Sequence, residues 1–359
     1  MKICIVDSTF PINTRTKKIE DSLVQNYGRE NIFVIAWNRD NCDFSADSEH
    51  FIFNSKAAYG SKIQKLSKLF AFKKFMQKTI AKLNCDYILA SHWDVLFLAS
   101  MITKKKNIIY EDLDIPTNNH FIILKILQLI EKISLKKACC IIFASRFFMP
   151  LYNFYSGRKI LLENKPDRKF YPGEYVKRKP LVVSFLGVIR YAEILKNLIS
   201  AASGLNDINI KLYGSGPELN VIREYSKSFN NVEVLGRYEN SELQNIYNEC
   251  DVIWAAYPSK DYNVKYAISN KFHESLALKK PAIYSDNTEL GLFAKAEGIG
   301  FVINPYSVDS IRKCLIQLTT EENIISNACD RLKNYKSQPS WNDDFKTVIS
   351  FLDNKISNA

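Results

Sequence analysis

The sequence predicts an α/β fold of two domains, each a parallel sheet covered by helices. Three observations carry this. Short apolar strand signals alternate with helical stretches along the whole 359-residue chain, the pattern that builds parallel sheets. That length is comfortable for two domains of about 160 to 180 residues each. A polar stretch from Asp167 to Pro180, with Pro172 and Gly173 inside it, reads as an interdomain linker.

The expected division is a first domain over 1–168, a linker over 169–180, a second domain over 181–338 and a last helix over 339–359. Lys2–Val6 is a buried strand. A long loop with Pro11 follows and ends at Thr14, a helix cap, and a helix carrying Ile19 and Leu23 stops at Tyr27-Gly28. Ile32–Trp37 is the next strand. This opening unit lacks a G-x-G-x-x-G turn, which argues against NAD or FAD. A helix from Gly60 to Leu83 carries seven lysines among Leu, Ile and Phe. Two readings fit it: a helix lying on a membrane surface, or an amphipathic helix packed on its own sheet with its lysines in water. Asp86–Ser91 is a strand running into His92, and Asn107–Tyr110 is a strand running into Glu111, Asp112 and Asp114. Open α/β sheets place their sites at such carboxyl ends of strands. These acids either bind hydroxyls of an acceptor or cap the next helix. Phe121–Leu135 is an apolar-rich helix, and Cys140–Ala144 is a strand leading to Ser145.

In the second half, Leu181–Leu186 is a strand followed by Gly187, a loop with Arg190, and a helix over Ile194–Ala202 with Lys196. Ile208–Tyr213 is a strand ending in Gly214-Ser215-Gly216-Pro217. The glycines serve either close approach of backbone to a ligand or a tight strand-to-helix turn. Val232–Leu235 leads to Gly236, Arg237 and Tyr238. Ser241–Cys250 is a helix, and Val252–Ala256 is a strand opening a loop over 257–269. Then comes Ser269–Asp286, the stretch with the most chemistry. Ser269 or Asn270 caps a helix with Phe272 and Leu276 inward, Pro281 ends it, and Ala282–Tyr284 is a buried strand. Asp286 and Glu289 read as a capping box for the next helix, closed by Gly298 and Gly300. A helix N-terminus suits a pyrophosphate, Lys271 adds a full charge, and Glu274 one turn on can accept from two neighbouring hydroxyls, as on a ribose. The plainer alternative is a solvated ion pair between Lys271 and Glu274. Three helices complete the chain, at about Ser310–Leu318, Glu322–Tyr335 and Trp341–Lys355.

The segment from about Asn248 to Pro305 resembles the donor-binding half of the retaining, family 4 nucleotide-sugar glycosyltransferases of bacterial surface-polysaccharide synthesis. The residues that carry this are Asn270-Lys271-Phe272-His273-Glu274-Ser275-Leu276-Ala277-Leu278-Lys279-Lys280-Pro281 and Ser285-Asp286-Asn287-Thr288-Glu289-Leu290. The resemblance implies the GT-B fold, two Rossmann-like domains facing a central cleft. It implies that Glu274 holds the ribose hydroxyls, that Arg190 and Lys196 act with Lys271 and Asn270 at the diphosphate, and that His92 approaches the donor. Gly214, Gly216, Arg237 and Tyr238 fall beside the nucleotide. Tyr266 stands where the family often has a second glutamate that contacts the donor sugar. Arg15, on the loop over the active site, joins Glu111, Asp112 and Asp114 on the acceptor side. Trp341 anchors the last helix on the first domain. The donor expected is UDP- or GDP-linked, with no cofactor and no metal, because the positive groups neutralise the leaving diphosphate.

Hydrophobic residues at 47% and charged residues at 24% are ordinary for a globular chain, so both halves can build cores. Eight scattered cysteines with no C-x-x-C spacing read as reduced core residues. The absence of a long apolar run and of a leader-like start predicts a cytoplasmic protein. Charge is unevenly placed. Residues 1–169 hold 27 Lys/Arg against 16 Asp/Glu, and the remainder is neutral. A basic first domain suggests an anionic partner. The expected partners are a nucleotide-sugar, a lipid-linked or oligosaccharide acceptor, and the anionic inner face of the plasma membrane. Nucleic acid is not expected, since no recognised module or repeat of stacking aromatics is present. The competing functions are a nucleotide-sugar epimerase, which turns over without an acceptor, an inactive partner subunit, and a basic nucleic-acid binder.

Overall fold

A computed structural model describes residues 1–40, 42, 49–56, 62–104, 106–118, 120–166, 170–335 and 340–356. The chain forms two compact units, Met1–Asn164 with Pro339–Ala359, and Lys165–Gln338.

The first unit runs β1 (Ile3–Asp7), α1 (Thr14–Tyr27), β2 (Ile32–Asn38), β3 (His50–Asn54), α2 (Lys62–Leu83), β4 (Tyr87–Ser91), α3 (Trp93–Ile102), β5 (Ile108–Asp112), α4 (Phe121–Ser134), β6 (Ala138–Phe143) and β7 (Arg158–Leu161). Its sheet is parallel, in the order β3-β2-β1-β4-β5-β6-β7. Ile3 pairs with Ile32 on one side and with Tyr87 on the other. The chain therefore reverses its direction of travel across the sheet between β1 and β4, where open sheets place crevices. The central strands are buried on both faces, which is why they read as continuous apolar runs.

The second unit runs β8 (Leu181–Leu186), α5 (Ala192–Ala202), β9 (Ile208–Tyr213), α6 (Leu219–Ser226), β10 (Val232–Gly236), α7 (Leu243–Asn248), β11 (Val252–Trp254), α8 (Tyr262–Tyr266), α9 (Asn270–Leu278), β12 (Ala282–Ser285), α10 (Glu289–Glu297), β13 (Gly300–Ile303), α11 (Val308–Thr320) and α12 (Ile324–Asn334). Its parallel sheet has the order β10-β9-β8-β11-β12-β13, with the switch point between β8 and β11. The last helix, α13 (Trp341–Ile356), belongs to the first unit. Trp341, Phe345, Val348 and Leu352 join Ile3, Ile19, Leu23 and Ile109 in one core, and the Trp341 Nε1–H donates to Ser22 Oγ at 3.0 Å.

Several local expectations are corrected. α10 is capped by Thr288, whose Oγ1 accepts from the Gly291 N–H, and not by Asp286, because the chain makes one more turn after β12. Gly298 ends α10 at φ 64°, whereas Gly300 opens β13. The short helix α8 breaks the loop over 257–269, with Asp261 accepting from the Asn263 and Val264 N–H groups. The described part of the expected linker lies on α7: Tyr171 and Gln244 exchange hydrogen bonds at 3.0 and 3.1 Å, and Arg178 donates to Asn248 O at 2.6 Å. In α2, Phe72 and Met76 are fully buried, and Phe72 stacks on Trp37 and packs against Phe53. These two side chains of α2 pack on its own sheet, while Phe70 is 42% exposed. The beginning of the helix expected from Gly60, and Asp167, lie outside the described residues. No described helix is long and apolar enough to cross a membrane.

Candidate donor site

The second unit gathers its chemistry at the carboxyl ends of β8, β9 and β11 and at the start of α9. The loops leaving β8 and β9 are zipped together. The Gly187 N–H donates to Tyr213 O at 3.0 Å, Ile189 N–H to Ser215 O at 2.8 Å, and Glu218 N–H to Ile189 O at 3.2 Å. A Cβ at Gly214 would fall 1.7 Å from the Gly187 carbonyl oxygen, and one at Gly216 2.4 Å from that of Ile189. Of the two readings, the tight turn accounts for both glycines without a ligand.

Lys271, in the first turn of α9, points under this loop. It is buried, with its Nζ 5.0 Å from the Phe185 ring centre and 5.9 Å from that of Tyr257. A Cβ at Gly187 would come within 3.1 Å of the same nitrogen. Burial pulls the ammonium down, but Tyr257, Glu274 and Tyr238 outweigh it and hold Lys271 above its ordinary value, so it is charged. Glu274, one turn further, is half-buried and accepts a hydrogen bond from the Tyr247 hydroxyl. It is not paired directly with Lys271 in a salt bridge on solvent, as the plain reading had it. Tyr238 lies in electrostatic range of Lys271, Glu274 and Tyr257, and burial raises its phenol. Its ring meets Tyr213 edge-on at 6.4 Å. At the start of α9 the cap residue Ser269 makes no side-chain cap bond, and its buried Oγ has no hydrogen-bond partner among the described residues.

Arg190 is exposed beside this cluster, its guanidinium 4.9 Å from the ring centre of Tyr191, which in turn meets Tyr257 at 6.5 Å. Lys196 is not part of the cluster. It stands in the second turn of α5 with its Nζ 5.1 Å from the Tyr225 ring of α6. The Tyr225 hydroxyl bonds Ser200, a turn further down α5, so Lys196 is drawn away from the strand ends. The register of the loop puts Val188, 58% exposed, directly after Gly187. Asn270 and Arg237 are exposed, and Tyr266 packs edge-on against Tyr262 at 5.4 Å. Sequence reasoning missed Tyr247 and Tyr257. Tyr257 stands three residues after the end of β11, and its N–H is held by Ser285 Oγ at 2.8 Å.

In the first unit, the buried Asp7 carboxylate organises the first loop, accepting from the Thr9 N–H and Oγ1–H and from the Asn13 N–H at 2.9, 2.8 and 3.1 Å. Asn13 caps α1. Arg15 and Glu111 are both buried and form a salt bridge at 2.8 Å, with Ser91 Oγ donating to Glu111 at 2.6 Å. Arg15 Nη1 and Nη2 have no hydrogen-bond partner among the described residues, the guanidinium lies 5.5 Å from the Trp341 ring centre, and burial lowers its pKa. Asp112 is also fully buried, held by the Tyr110 hydroxyl at 3.2 Å, and burial beside Glu131 keeps its carboxyl well above the usual range. These three residues were expected on the acceptor side. They belong to the interior instead, because β5 extends through Asp112 and carries both acids into the sheet. Asp114 is exposed.

His92 is partly exposed at the end of β4, with φ 71° and ψ 155°. That backbone region is almost confined to glycine, and strain of this kind clusters at functional sites. Its N–H donates to Glu111 O at 3.3 Å, and its side chain caps nothing in α3.

Residues 167–338 match the family of group 1 glycosyl transferases. The matched stretch spans nearly all of the second unit. The whole chain shares its two parallel-sheet α/β domains, the GT-B fold, with solved glycosyltransferases. A sucrose-phosphate synthase from Thermosynechococcus elongatus is 13% identical, with TM-score 0.74 and full coverage of both chains. Anabaena HepE, solved in complex with UDP-glucose, is 14% identical, with TM-score 0.67 and full coverage of both. WaaG, a glycosyltransferase involved in lipopolysaccharide biosynthesis, is 9% identical, with TM-score 0.67, covering 96% of this chain and 98% of its own. At these identities the likeness is one of fold. A search of the curated proteins finds no match in sequence.

Proposed function

We propose that the protein transfers a sugar from a nucleotide-sugar to a lipid-linked or oligosaccharide acceptor in the assembly of a bacterial surface polysaccharide. The observation that carries the donor half is the cluster at the start of α9. A buried charged Lys271, a Ser269 Oγ at the helix N-terminus with no hydrogen-bond partner among the described residues, and the half-buried Glu274 lie within one and a half turns. An anion at a helix N-terminus is stabilised by free N–H groups and the helix dipole. Glu274, oriented by Tyr247, can accept from two ribose hydroxyls. A UDP-sugar is the preferred donor, a reading favoured by the UDP-glucose bound in HepE.

In the reaction the glycosidic carbon gains positive character while the diphosphate leaves. Lys271, Arg190 and the α9 N-terminus supply the opposing charge, so the reading needs no metal. His92, held in a strained strand-end conformation, is assigned to the donor sugar. Retention of configuration follows from the family 4 resemblance. The protein acts in the cytoplasm at the inner membrane face.

The test is transfer itself. The protein is incubated with UDP-, GDP-, dTDP- and CMP-sugars and a lipid-diphosphate-linked sugar acceptor, and products are read by mass spectrometry and the anomer by NMR. One added sugar of retained configuration supports the reading. A donor changed without acceptor would instead make the protein an epimerase, and donor binding with no turnover would make it an inactive partner subunit, the alternative that Tyr266 in the place of a glutamate raises.

A further inference from the structure

The helix α4 is built with two unlike faces. Glu131 and Ser134 are buried, and Glu131 accepts hydrogen bonds from Tyr110 and Tyr152 at 2.8 and 2.7 Å, which fixes the inner face to β5 and to the segment after β6. On the outer face, Ile122, Ile126, Leu129 and Ile133 stand at i, i+4, i+7 and i+11 and are 61, 51, 55 and 54% exposed. Phe121 and Phe154, 69 and 47% exposed, extend the stripe. Single exposed apolar residues need no explanation, but a continuous stripe of this kind marks an interaction surface.

The charges beside the stripe choose its partner. Lys125, Lys132 and Lys136 follow one edge of it, with Lys125 Nζ 5.4 Å from the Phe121 ring and Lys132 Nζ 4.8 Å from that of Phe154. From Ile115 to Lys137 there are four lysines and one acid, the buried Glu131. An aliphatic face edged by lysines and free of acids is complementary to a surface with anionic groups over hydrocarbon. A protein partner would tend to bury fewer lysines at the edge of so apolar a face. α4 also begins nine residues after the end of β5, so the stripe starts near the strand ends where an acceptor is expected.

We propose that the outer face of α4 docks the protein on an anionic lipid bilayer. The inference rests on the reading above for its purpose, since docking there brings the enzyme to a lipid-linked acceptor. It moves the membrane surface from α2, whose Phe72 and Met76 are buried, to α4.

The test uses the full chain and sedimentation with vesicles of phosphatidylglycerol or phosphatidylcholine. Wild type is expected to bind the anionic vesicles at least about tenfold more tightly. Ile126→Glu/Leu129→Glu should lower that binding at least about tenfold. Lys125→Glu/Lys132→Glu should lower it and erase the preference for phosphatidylglycerol. Lys73→Glu/Lys78→Glu, on α2, should stay within about threefold of wild type. All these positions are on the surface, and an unchanged melting temperature confirms folding. Wild type that ignores both vesicles, or Ile126→Glu/Leu129→Glu that binds as wild type does, overturns the proposal. So does a wild-type dimer in gel filtration that the same variant dissociates, with no vesicle binding, since a second copy would then cover the stripe. UDP-sugar stabilisation, measured on the same samples, reports the donor reading separately.

Discussion

Replacing His92 by glycine should stabilise the first unit while removing turnover. At φ 71° and ψ 155°, His92 occupies a region open mainly to glycine, and holding an ordinary residue there costs about 1–3 kcal/mol. Glycine relieves that cost but gives the unfolded chain more freedom, worth about 0.5–1 kcal/mol in the other direction. The net is a gain of roughly 0–2 kcal/mol, or about 0–8 °C in melting temperature for a unit of this size. Alanine keeps the strain and should melt within about 0.5 kcal/mol of wild type. Both variants should lose transfer activity. The assay is thermal unfolding of the three proteins together with sugar transfer under saturating donor. A glycine variant that melts below the alanine variant would refute the strain argument. A stable glycine variant with full activity would refute the assignment of His92 to the donor.

Other predictions follow from the same geometry. Burial drives the Glu131 carboxyl up to about 7, against hydrogen bonds from Tyr152 and Tyr110 that lower it. A raised acid favours the protonated native state, so this stability is present below pH about 4.5 and is lost as pH rises to about 7, by roughly 1–3 kcal/mol. Glu131→Gln should flatten that slope in melts taken across this range, leaving Asp112 as the other raised acid beside it. Gly214→Ala drives a Cβ into the Gly187 carbonyl at φ 139° and should cost more than about 4 kcal/mol or displace the loop, lowering the melting temperature and abolishing nucleotide stabilisation together. EDTA should leave the transfer rate unchanged, because Lys271, Arg190 and the α9 N-terminus carry the charge; a rate restored only by a divalent cation would contradict this.

Much of the fold was legible because parallel sheets write themselves locally. Strands buried on both faces, such as Ile3–Asp7 and Ala138–Phe143, appear as apolar runs, and helices appear through their period. Lys271 and Glu274 were legible for the same reason, since both lie in one helix. Residues that meet only in three dimensions were not. Arg15 finds Glu111 across 96 positions and Tyr247 finds Glu274 across 27, and neither distance leaves a trace in spacing. The strand ends were misjudged by a residue or two, which decides whether Glu111 and Asp112 face a ligand or the core. The two helices α2 and α4 show the limit from the other side. A lysine-rich helix turned its Phe72 inward, and an apolar helix turned its Ile126 outward, because burial depends on what each helix finds beside it and not on its composition.

The central claim is that α9 holds a nucleotide-sugar through Glu274. Thermal unfolding with UDP-, GDP-, dTDP- and CMP-sugars tests it most directly, with Glu274→Ala and Glu274→Gln alongside wild type. Stabilisation of wild type by one nucleotide class, lost in both variants while their melting without ligand is little changed, is the predicted result. No stabilisation of wild type by any nucleotide-sugar, or stabilisation undiminished in the variants, would contradict it.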